Sequence, residues 1–288
     1  YNATINDLEF TTEYEVIKYK NNLSNWGGGF AGSYRLSNTF LLKSSLEQAT
    51  RMPSPTEALG DGVNIENNPF IEPEQCLNVN LGTILGRSAI GKHQGLKIAL
   101  NAFYRDTKDK LLFTVVDARG SGIFENVDRI SGLGAEIDVI YDISQNLRFN
   151  MNGTYLDLRN NLEFEADGRA NIFYRDRMRN TPYLLANAGR EYNVSDAIQK
   201  DSKIFAYVQS GYVHEFFLDW PSAAAEENKR FIPTQLVFDT GLGYTFPSKK
   251  FTIAFDVSNL LNEQVFDNYR LQKPGRAVFF KINYQITQ

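Results

Sequence analysis

Hydrophobic and polar residues alternate with a period of two along much of the chain, most clearly at its end. In residues 277–288 apolar side chains occupy every second position, and residues 235–246 and 251–258 repeat this pattern. The four residues between these two segments, 247–250, begin with a proline and fit a tight turn. Because successive side chains of a β-strand point to opposite faces, the pattern predicts strands with one apolar and one polar face.

The same alternation predicts eleven strands in all, so the expected fold class is all-β. The predicted strands cover residues 27–36, 39–49, 75–87, 94–105, 132–142, 145–157, 183–193, 203–215, 235–246, 251–258 and 277–288. Residues 1–20 are ambiguous, because Asp7 to Lys18 fit either a twelfth strand or an ordered part of a loop.

The connections between these strands alternate between short and long. The short ones cover residues 37–38, 88–93, 143–144, 194–202 and 247–250. The long ones cover residues 50–74, 106–131, 158–182, 216–233 and 260–275. Transmembrane barrels have short periplasmic turns and long extracellular loops. The asymmetry therefore predicts a transmembrane antiparallel β-barrel whose C-terminus lies on the periplasmic side.

The polar face of the predicted strands carries charges of both signs. Its polar residues are Arg35, Lys43, Glu47, Asn78, Asn80, Lys97, Asn101, Arg105, Glu136, Asp138, Arg148, Asn150, Asn152, Asp239, Asp256 and Lys281. In a soluble β-sandwich this face would meet solvent, whereas in a wide barrel it lines the lumen. The barrel is favoured because the apolar face recurs in every strand and the sequence offers no amphipathic helix to cover it.

Composition agrees with membrane strands and argues against other classes. The chain contains 15 Tyr and 21 Phe, and both residue types favour strands whose ends lie at a membrane interface. No run of eighteen apolar residues is present, so no transmembrane helix is predicted. The net charge of −4 is dispersed and forms no basic stripe, which argues against nucleic acid as a partner. Cys76 is the single cysteine, so an intrachain disulfide is excluded.

Several segments resemble the barrel of TonB-dependent receptors, and the clearest lies near the end of the chain. In DVSNLLNEQVFDNYRLQKPGR at 256–276, the residues that match the family are Asn259, Leu260, Asn262, Pro274, Gly275 and Arg276. In RMPSPTEALGDG at 51–62 and NNPFIEPEQCLNVNLG at 67–82, the matching residues are Arg51, Pro53, Asn68, Pro69, Pro73 and Glu74. RNTPYLLANAGREY at 179–192 is a weaker third match.

We expect the motif residues to be structural. Asn259 and Asn262 follow a strand and can bond to nearby backbone groups, while Pro274 and Gly275 permit a sharp turn into the last strand. Arg276 has the parity of the apolar face. At the extracellular rim it could extend to lipid head groups, or a bulge could turn it inward.

The resemblance implies a 22-stranded barrel of which residues 1–288 form the C-terminal eleven or twelve strands, as part of a single β-barrel domain. The plug domain and the N-terminal barrel strands are then absent from this chain, and we expect the natural polypeptide to extend several hundred residues before Tyr1. The resemblance also implies that a ligand binds the extracellular loops and that the inner-membrane TonB complex acts through the missing part.

The sequence shows no catalytic or metal-binding grouping. Its two histidines, His93 and His214, belong to no recognisable constellation, and common hydrolase and zinc signatures are absent. We therefore predict no enzyme activity, no cofactor and no metal site.

Ligand recognition is expected in two of the long loops. Arginines in the loop 158–182 could hold an anionic ligand, and aromatic residues in the loop 216–233 could stack on a planar or sugar-like one. The nominated ligand-binding residues are Tyr174, Arg175, Arg177 and Trp220. Alternatively, the arginines bind lipopolysaccharide phosphates or pair with neighbouring loops, and the aromatic residues anchor the barrel at the interface.

The resemblance implies active, energy-coupled import of a scarce nutrient across the outer membrane of a Gram-negative cell. The cargo could be an iron-siderophore, haem, a cobalamin, a glycan or a peptide. The expected partners are outer-membrane lipid and lipopolysaccharide, the missing plug and strands, the TonB complex and the extracellular ligand. Two alternatives stay open: a passive porin or structural barrel of about twelve strands, and an outer-membrane enzyme, disfavoured because no acid, base and nucleophile group together on the polar face.

Overall fold

The computed structural model describes residues 2–12, 15–87, 95–116, 120–165, 167–223, 229–268 and 271–286. Its elements, in chain order, are β1 (Asn2–Thr12), β2 (Glu15–Ser24), β3 (Gly28–Ser37), β4 (Phe40–Arg51), α1 (Pro55–Leu59), β5 (Ile65–Glu66), β6 (Glu74–Arg87), β7 (Leu96–Val115), β8 (Gly122–Asp142), β9 (Leu147–Asn160), β10 (Leu184–Ser195), β11 (Lys203–Val213), β12 (Phe216–Phe217), β13 (Phe231–Ile232), β14 (Gln235–Thr245), β15 (Phe251–Ser258), β16 (Phe266–Asn268), β17 (Leu271–Gln272) and β18 (Ala277–Tyr284). The predicted turn 88–93, with His93, lies outside the described residues. No helix in the described ranges is long and apolar enough to cross a membrane.

Eleven strands form one antiparallel sheet in which each strand pairs with its neighbours along the chain. Their order across the sheet is β3, β4, β6, β7, β8, β9, β10, β11, β14, β15 and β18, and the short β5 pairs in parallel with β8. All eleven strands predicted from the alternation are confirmed, and so is the all-β class. Within the described part of the chain, β3 and β18 form the two edges of the sheet.

The predicted loop at residues 106–131 is wrong, because most of these residues continue two strands. β7 and β8 keep one antiparallel register from Leu96 opposite Tyr141 to Val115 opposite Gly122. Beyond the membrane both faces of a strand can meet water, so a strand no longer needs an apolar face. The charged stretch 106–110 is therefore a strand without the alternation that identified the others.

Residues near the beginning of the chain form a hairpin. β1 and β2 pair from Asn2 opposite Ser24 to Thr12 opposite Glu15. A single strand from Asp7 to Lys18 is therefore wrong. In the described ranges, neither β1 nor β2 pairs with the eleven-stranded sheet.

Register aligns the apolar positions of neighbouring strands on one face, which we call the outer face. Between β15 and β18 the opposite residues are Phe251 and Tyr284, Ile253 and Ile282, Phe255 and Phe280, and Val257 and Val278. Several of these large apolar side chains are exposed in the isolated sheet. In a transmembrane barrel the outer face meets lipid, and the opposite face, the inner face, meets the lumen.

Polar side chains link strands of the sheet across the inner face. The Asp256 carboxylate accepts a hydrogen bond of 2.7 Å from the Tyr207 hydroxyl and forms an ion pair of 2.8 Å with Lys281. Gly241 lies between Tyr207 and Asp256 in the register, and a Cβ atom there would collide with both side chains. The missing side chain therefore lets Tyr207 reach Asp256 across an intervening strand.

The connection between β4 and β6 folds into a compact unit against the β7–β8 hairpin. Helix α1 begins with a capping box, in which the Ser54 hydroxyl accepts from the Glu57 amide and the Glu57 carboxylate accepts from the Ser54 amide. Ala58 of this helix packs with Ile71 and Leu111 in a buried apolar cluster. The cluster joins the connection to β7, so this long loop has a fixed conformation.

Glu74 is buried and links the folded β4–β6 connection to strand β7. Its carboxylate accepts hydrogen bonds from Arg51 at 3.1 Å, from Lys110 at 2.9 Å and from the Leu111 amide at 2.9 Å. Arg51 also forms an ion pair of 3.0 Å with Glu57. Burial would raise the pKa of Glu57, but hydrogen bonds from the helix cap and from Arg51 hold it below its ordinary value.

The other motif residues of this connection surround the same contact. The Asn68 side-chain amide donates to the Phe124 carbonyl at 2.8 Å, and its backbone amide donates to the Ala58 carbonyl at 2.9 Å. Pro53 precedes the helix cap, Pro69 follows Asn68, and the buried Pro73 precedes Glu74. These residues fix the path of the chain around α1.

We predict that Ile282→Arg impairs folding into bilayers far more than Asn283→Arg. A charge on the lipid-facing side costs roughly 2–4 kcal/mol near the midplane, whereas a lumen-facing charge stays hydrated. Denaturant titration of the full-length receptor in lipid vesicles measures the free energy of unfolding. Equal losses for the two variants would contradict the assignment of the faces.

We predict that Glu74→Ala loosens the β4–β6 connection without opening the sheet. The substitution removes the acceptor for Arg51, Lys110 and the Leu111 amide, at a cost of about 1–3 kcal/mol. Hydrogen exchange on the intact receptor should accelerate in residues 54–73 and at Leu111. The exposed Glu72 offers a matched control, since Glu72→Ala should leave exchange unchanged; unchanged exchange in both variants would show that Glu74 does not hold the loop.

Candidate functional site

Four long connections gather at one end of the sheet, and the fifth connection at this end is the short segment 116–121 between β7 and β8. Antiparallel pairing places the ends of alternate strands together, so the chain leaves the sheet at this end after Arg51, Val115, Asn160, Val213 and Ser258. Loop length assigns this end to the extracellular side of a transmembrane barrel.

The connections 161–183 and 214–234 pack against each other. The Trp220 ring stacks on Phe173 with centroids 5.4 Å apart, and the Arg179 guanidinium lies 5.8 Å from the Trp220 centroid. The Ser222 amide and hydroxyl both donate to the Asp176 carboxylate at 2.8 Å. Trp220, nominated as a ligand-binding residue, therefore also holds the two connections together.

Arg177, a second nominated residue, is engaged at the base of its connection. Its guanidinium forms an ion pair of 2.7 Å with Asp157, donates to the Tyr155 hydroxyl at 3.2 Å and lies 4.1 Å from the Tyr183 ring centroid. Burial would lower the pKa of Arg177, but the hydrogen bond and charge of Asp157 outweigh it and raise the pKa above its ordinary value. Arg159 binds the same carboxylate at 2.9 Å.

Tyr174 and Arg175 are exposed in the same connection. Arg175 adopts a positive φ of 70°, and its guanidinium lies 5.3 Å from the Tyr174 ring centroid. The Arg175 carbonyl accepts a hydrogen bond from Arg159 at 3.0 Å, so the backbone is anchored here while both side chains are exposed. A cation beside an aromatic ring can contact a planar or anionic ligand.

The Asn-Leu-Leu-Asn motif closes the connection after β15. Asn259 and Asn262 adopt positive φ values of 50° and 58°, which asparagine tolerates better than most residues. The Asn259 side-chain amide donates to the Glu263 carbonyl at 2.8 Å, and its oxygen accepts from the Glu263 amide at 2.9 Å. The Leu260 amide donates to the Phe238 carbonyl of β14 at 2.7 Å.

The end of this connection is held by the second asparagine of the motif. The Asn262 side-chain oxygen accepts a hydrogen bond of 2.9 Å from the Arg276 amide. A Cβ atom at Gly275 would lie 2.7 Å from that oxygen, so the glycine permits the close approach. Pro274 comes directly before it, and the motif residues together set the entry into β18.

Sequence patterns missed an aromatic cluster on the outer face at the extracellular end. Tyr155 and Tyr183 meet edge to face at 6.3 Å, and Tyr183 meets His214 at 5.3 Å. The Tyr212 hydroxyl and the His214 ring nitrogen Nδ1 are 2.7 Å apart. The sequence did carry one sign of this cluster. Tyr155 falls on the same alternate positions of β9 as the outer-face residues nearer the periplasmic end, so it could have been assigned to the outer face.

The inner face bears a groove of about 410 Å³ that is lined by both polar and apolar residues. Its polar lining residues include Lys43, Asn101, Glu136, Asp138 and Asn152. All five belong to the polar face predicted from the sequence. Among the described residues, no group of three or more His, Cys, Asp or Glu side chains could hold a metal ion.

The chain is similar to several solved structures. It is 16% identical to the copper transporter OprC, with 96% of this chain and 42% of that chain covered and a TM-score of 0.68. It is 16% identical to the ferric yersiniabactin uptake receptor FyuA from Yersinia pestis, with 95% and 39% covered and a TM-score of 0.66. It is 17% identical to the siderophore receptor PirA from Acinetobacter baumannii, with 90% and 41% covered and a TM-score of 0.64.

These likenesses support the barrel fold, and the chain spans only about two fifths of the length of each of these structures. No curated protein matches the chain. The family described as TonB dependent receptor-like, beta-barrel, matches residues 1–260, which is most of the chain. The chain therefore belongs to the TonB-dependent receptor family, and it forms part of the β-barrel.

Proposed function

We propose that the protein imports a scarce nutrient across the outer membrane of a Gram-negative cell, with energy supplied through the inner-membrane TonB complex. The observation that carries this proposal is the family match over residues 1–260. Two features of the sheet support it: the inner face carries charged side chains, which suits a lumen, and four of the five connections at one end are long.

We further propose that additional strands of the same polypeptide and a plug complete the barrel. β3 and β18 are edges of the described sheet, and an open edge in lipid leaves backbone N–H and C=O groups without partners. Strands that pair with both edges would satisfy these groups. A plug inside the closed wall would then couple ligand release to the TonB complex.

For the cargo we favour an anionic metal chelate of the siderophore type over haem, a cobalamin, a glycan or a peptide. The exposed pair of Tyr174 and Arg175 supports this choice, because a guanidinium beside a ring suits an anionic, partly aromatic ligand. The names of two similar structures point the same way, since PirA is a siderophore receptor and FyuA takes up ferric yersiniabactin. The expected ligand-binding residues are Tyr174, Arg175, Arg177 and Trp220.

Uptake should depend on the TonB complex if the proposal is right. We predict that iron-starved cells with the full-length receptor accumulate a radiolabelled ferric siderophore from a test panel, and that deletion of the TonB protein abolishes the accumulation. A passive pore would allow entry down a concentration gradient in both strains. Accumulation that is equal with and without the TonB protein would contradict energy coupling.

The four nominated residues should fall into two groups. Tyr174→Ala and Arg175→Ala should weaken binding of the transported chelate about tenfold each, because they remove exposed anchors without loosening the loop. Arg177→Ala and Trp220→Ala should weaken binding and also accelerate hydrogen exchange in residues 170–183, because both side chains hold the connections in place. Normal binding and import by all four variants would place recognition deeper than the loops.

A further inference from the structure

Four cations form a band on the outer face of the wall, which we call the outer band: Lys108, Arg129, Arg159 and Arg177. The register places Lys108 directly opposite Arg129, and an isolated bridge places Arg159 directly opposite Arg177. Like charges directly opposite on neighbouring strands repel each other, since their Cβ atoms are roughly 4.5–5.5 Å apart. Negative charge close to these two pairs would reduce the repulsion within each of them.

Acidic side chains in the outer band offset only part of its charge. Asp106 pairs with Arg129 at 2.8 Å, while Asp157 binds both Arg159 at 2.9 Å and Arg177 at 2.7 Å. The acidic side chains are only 16% and 22% exposed, whereas those of Arg129, Arg159 and Arg177 are 50%, 39% and 31% exposed. The outward surface is therefore positive, and the carboxylates lie beneath it.

The outer band continues the lipid-facing side of the sheet. Asp106, Ser131 and Arg159 are opposite one another on β7, β8 and β9, so they share one face. The next row of this face towards the membrane contains Tyr104, Leu133 and Asp157. The row after it contains Ala102, Ala135 and Tyr155. Tyrosines beneath cations are typical of a barrel wall where it passes from hydrocarbon to head groups.

Strand length places the outer band at the level of the lipid head groups. Lys108 is the twelfth residue after Leu96 on β7, and Arg159 is the twelfth after Leu147 on β9. Twelve residues on a strand tilted by about 45° rise roughly 28 Å, and the apolar band of such barrels is about 25 Å tall. The cations thus lie just beyond the hydrocarbon on the extracellular side.

We propose that the outer band is a binding site for the phosphorylated head group of lipopolysaccharide. Phosphate oxygens supply the negative charge that the two opposed cation pairs lack, and guanidinium groups bind phosphate through paired hydrogen bonds. Lipopolysaccharide carries phosphates on a sugar head group at this depth, within reach of side chains on three neighbouring strands. The inference rests on the proposed placement of the barrel in the outer membrane.

The test uses the full-length receptor and a double variant, Lys108→Gln with Arg159→Gln. Asp157 keeps Arg177 as its partner in this variant, so no carboxylate is stranded. Lys43→Gln is the matched control, because it removes the same type of charge from the inner face. Binding of lipopolysaccharide, of dephosphorylated lipopolysaccharide and of phosphatidylglycerol to the purified receptor in detergent is measured by native mass spectrometry, at low and at high salt.

We expect the double variant to bind lipopolysaccharide about 25-fold more weakly, at roughly fivefold per cation, and Lys108→Gln alone about fivefold more weakly. Lys43→Gln should bind normally, dephosphorylated lipopolysaccharide should bind weakly to every form, and high salt should weaken wild-type binding. Unchanged binding by both variants would overturn the proposal. Equal wild-type binding of the dephosphorylated form, or of phosphatidylglycerol, would overturn it too.

Uptake by the Lys108→Gln variant separates this inference from the proposed function. TonB-dependent uptake should persist, because Lys108 belongs to β7 on the lipid side of the sheet and not to the connection that carries Tyr174, Arg175 and Arg177. Weakened lipopolysaccharide binding with normal uptake supports the site. A wild-type receptor that is absent from the outer-membrane fraction would overturn both proposals, whereas normal lipopolysaccharide binding by the Lys108→Gln variant with normal uptake would overturn this one alone.

Discussion

The absence of water inside a bilayer is the constraint on which the rest of this structure depends. Each peptide group of a spanning strand must bond to a neighbouring strand, because an unpaired group in hydrocarbon costs several kcal/mol. The strands accordingly keep one register over long stretches, as β7 and β8 do from Leu96 opposite Tyr141 onward. A fixed register fixes the face of every side chain, so lipid selects one face and the lumen the other.

The part of the fold that this constraint governs could be predicted from the sequence. Within the membrane a period-two pattern is compulsory, so Val278, Phe280 and Ile282 identify both the last strand and its outer face. The prediction failed where the constraint ends. The β7–β8 hairpin extends into water, and the stretch 106–110 has no apolar face that would identify it as a strand.

The folded connection between β4 and β6 could be predicted only in part. The capping box of Ser54 and Glu57 is a local pattern, present in the sequence at the required spacing. The contact of Glu74 with Lys110 joins residues from two different strands, and the sequence carries no local sign of it. Long-range pairs such as this one form only once the β4–β6 connection has packed against the β7–β8 hairpin.

Arg175 and Arg177 show why the candidate site was harder to predict than the fold. The two arginines are two residues apart in one loop, yet Arg177 binds Asp157 while Arg175 stays exposed beside Tyr174. Residue type alone cannot tell the paired arginine from the exposed one. Asp157 belongs to β9, and only the path of the loop brings Arg177 beside it.

That division of roles has a physical benefit for recognition. A loop that is already folded loses less conformational entropy when a ligand binds, so more of the contact energy appears as affinity. Arg177, Trp220 and the Asp176 contacts hold the loops, which leaves the exposed Tyr174 and Arg175 on a backbone of fixed path. The residues that hold the loop and those that we propose to contact the ligand can therefore differ, even where both are arginines.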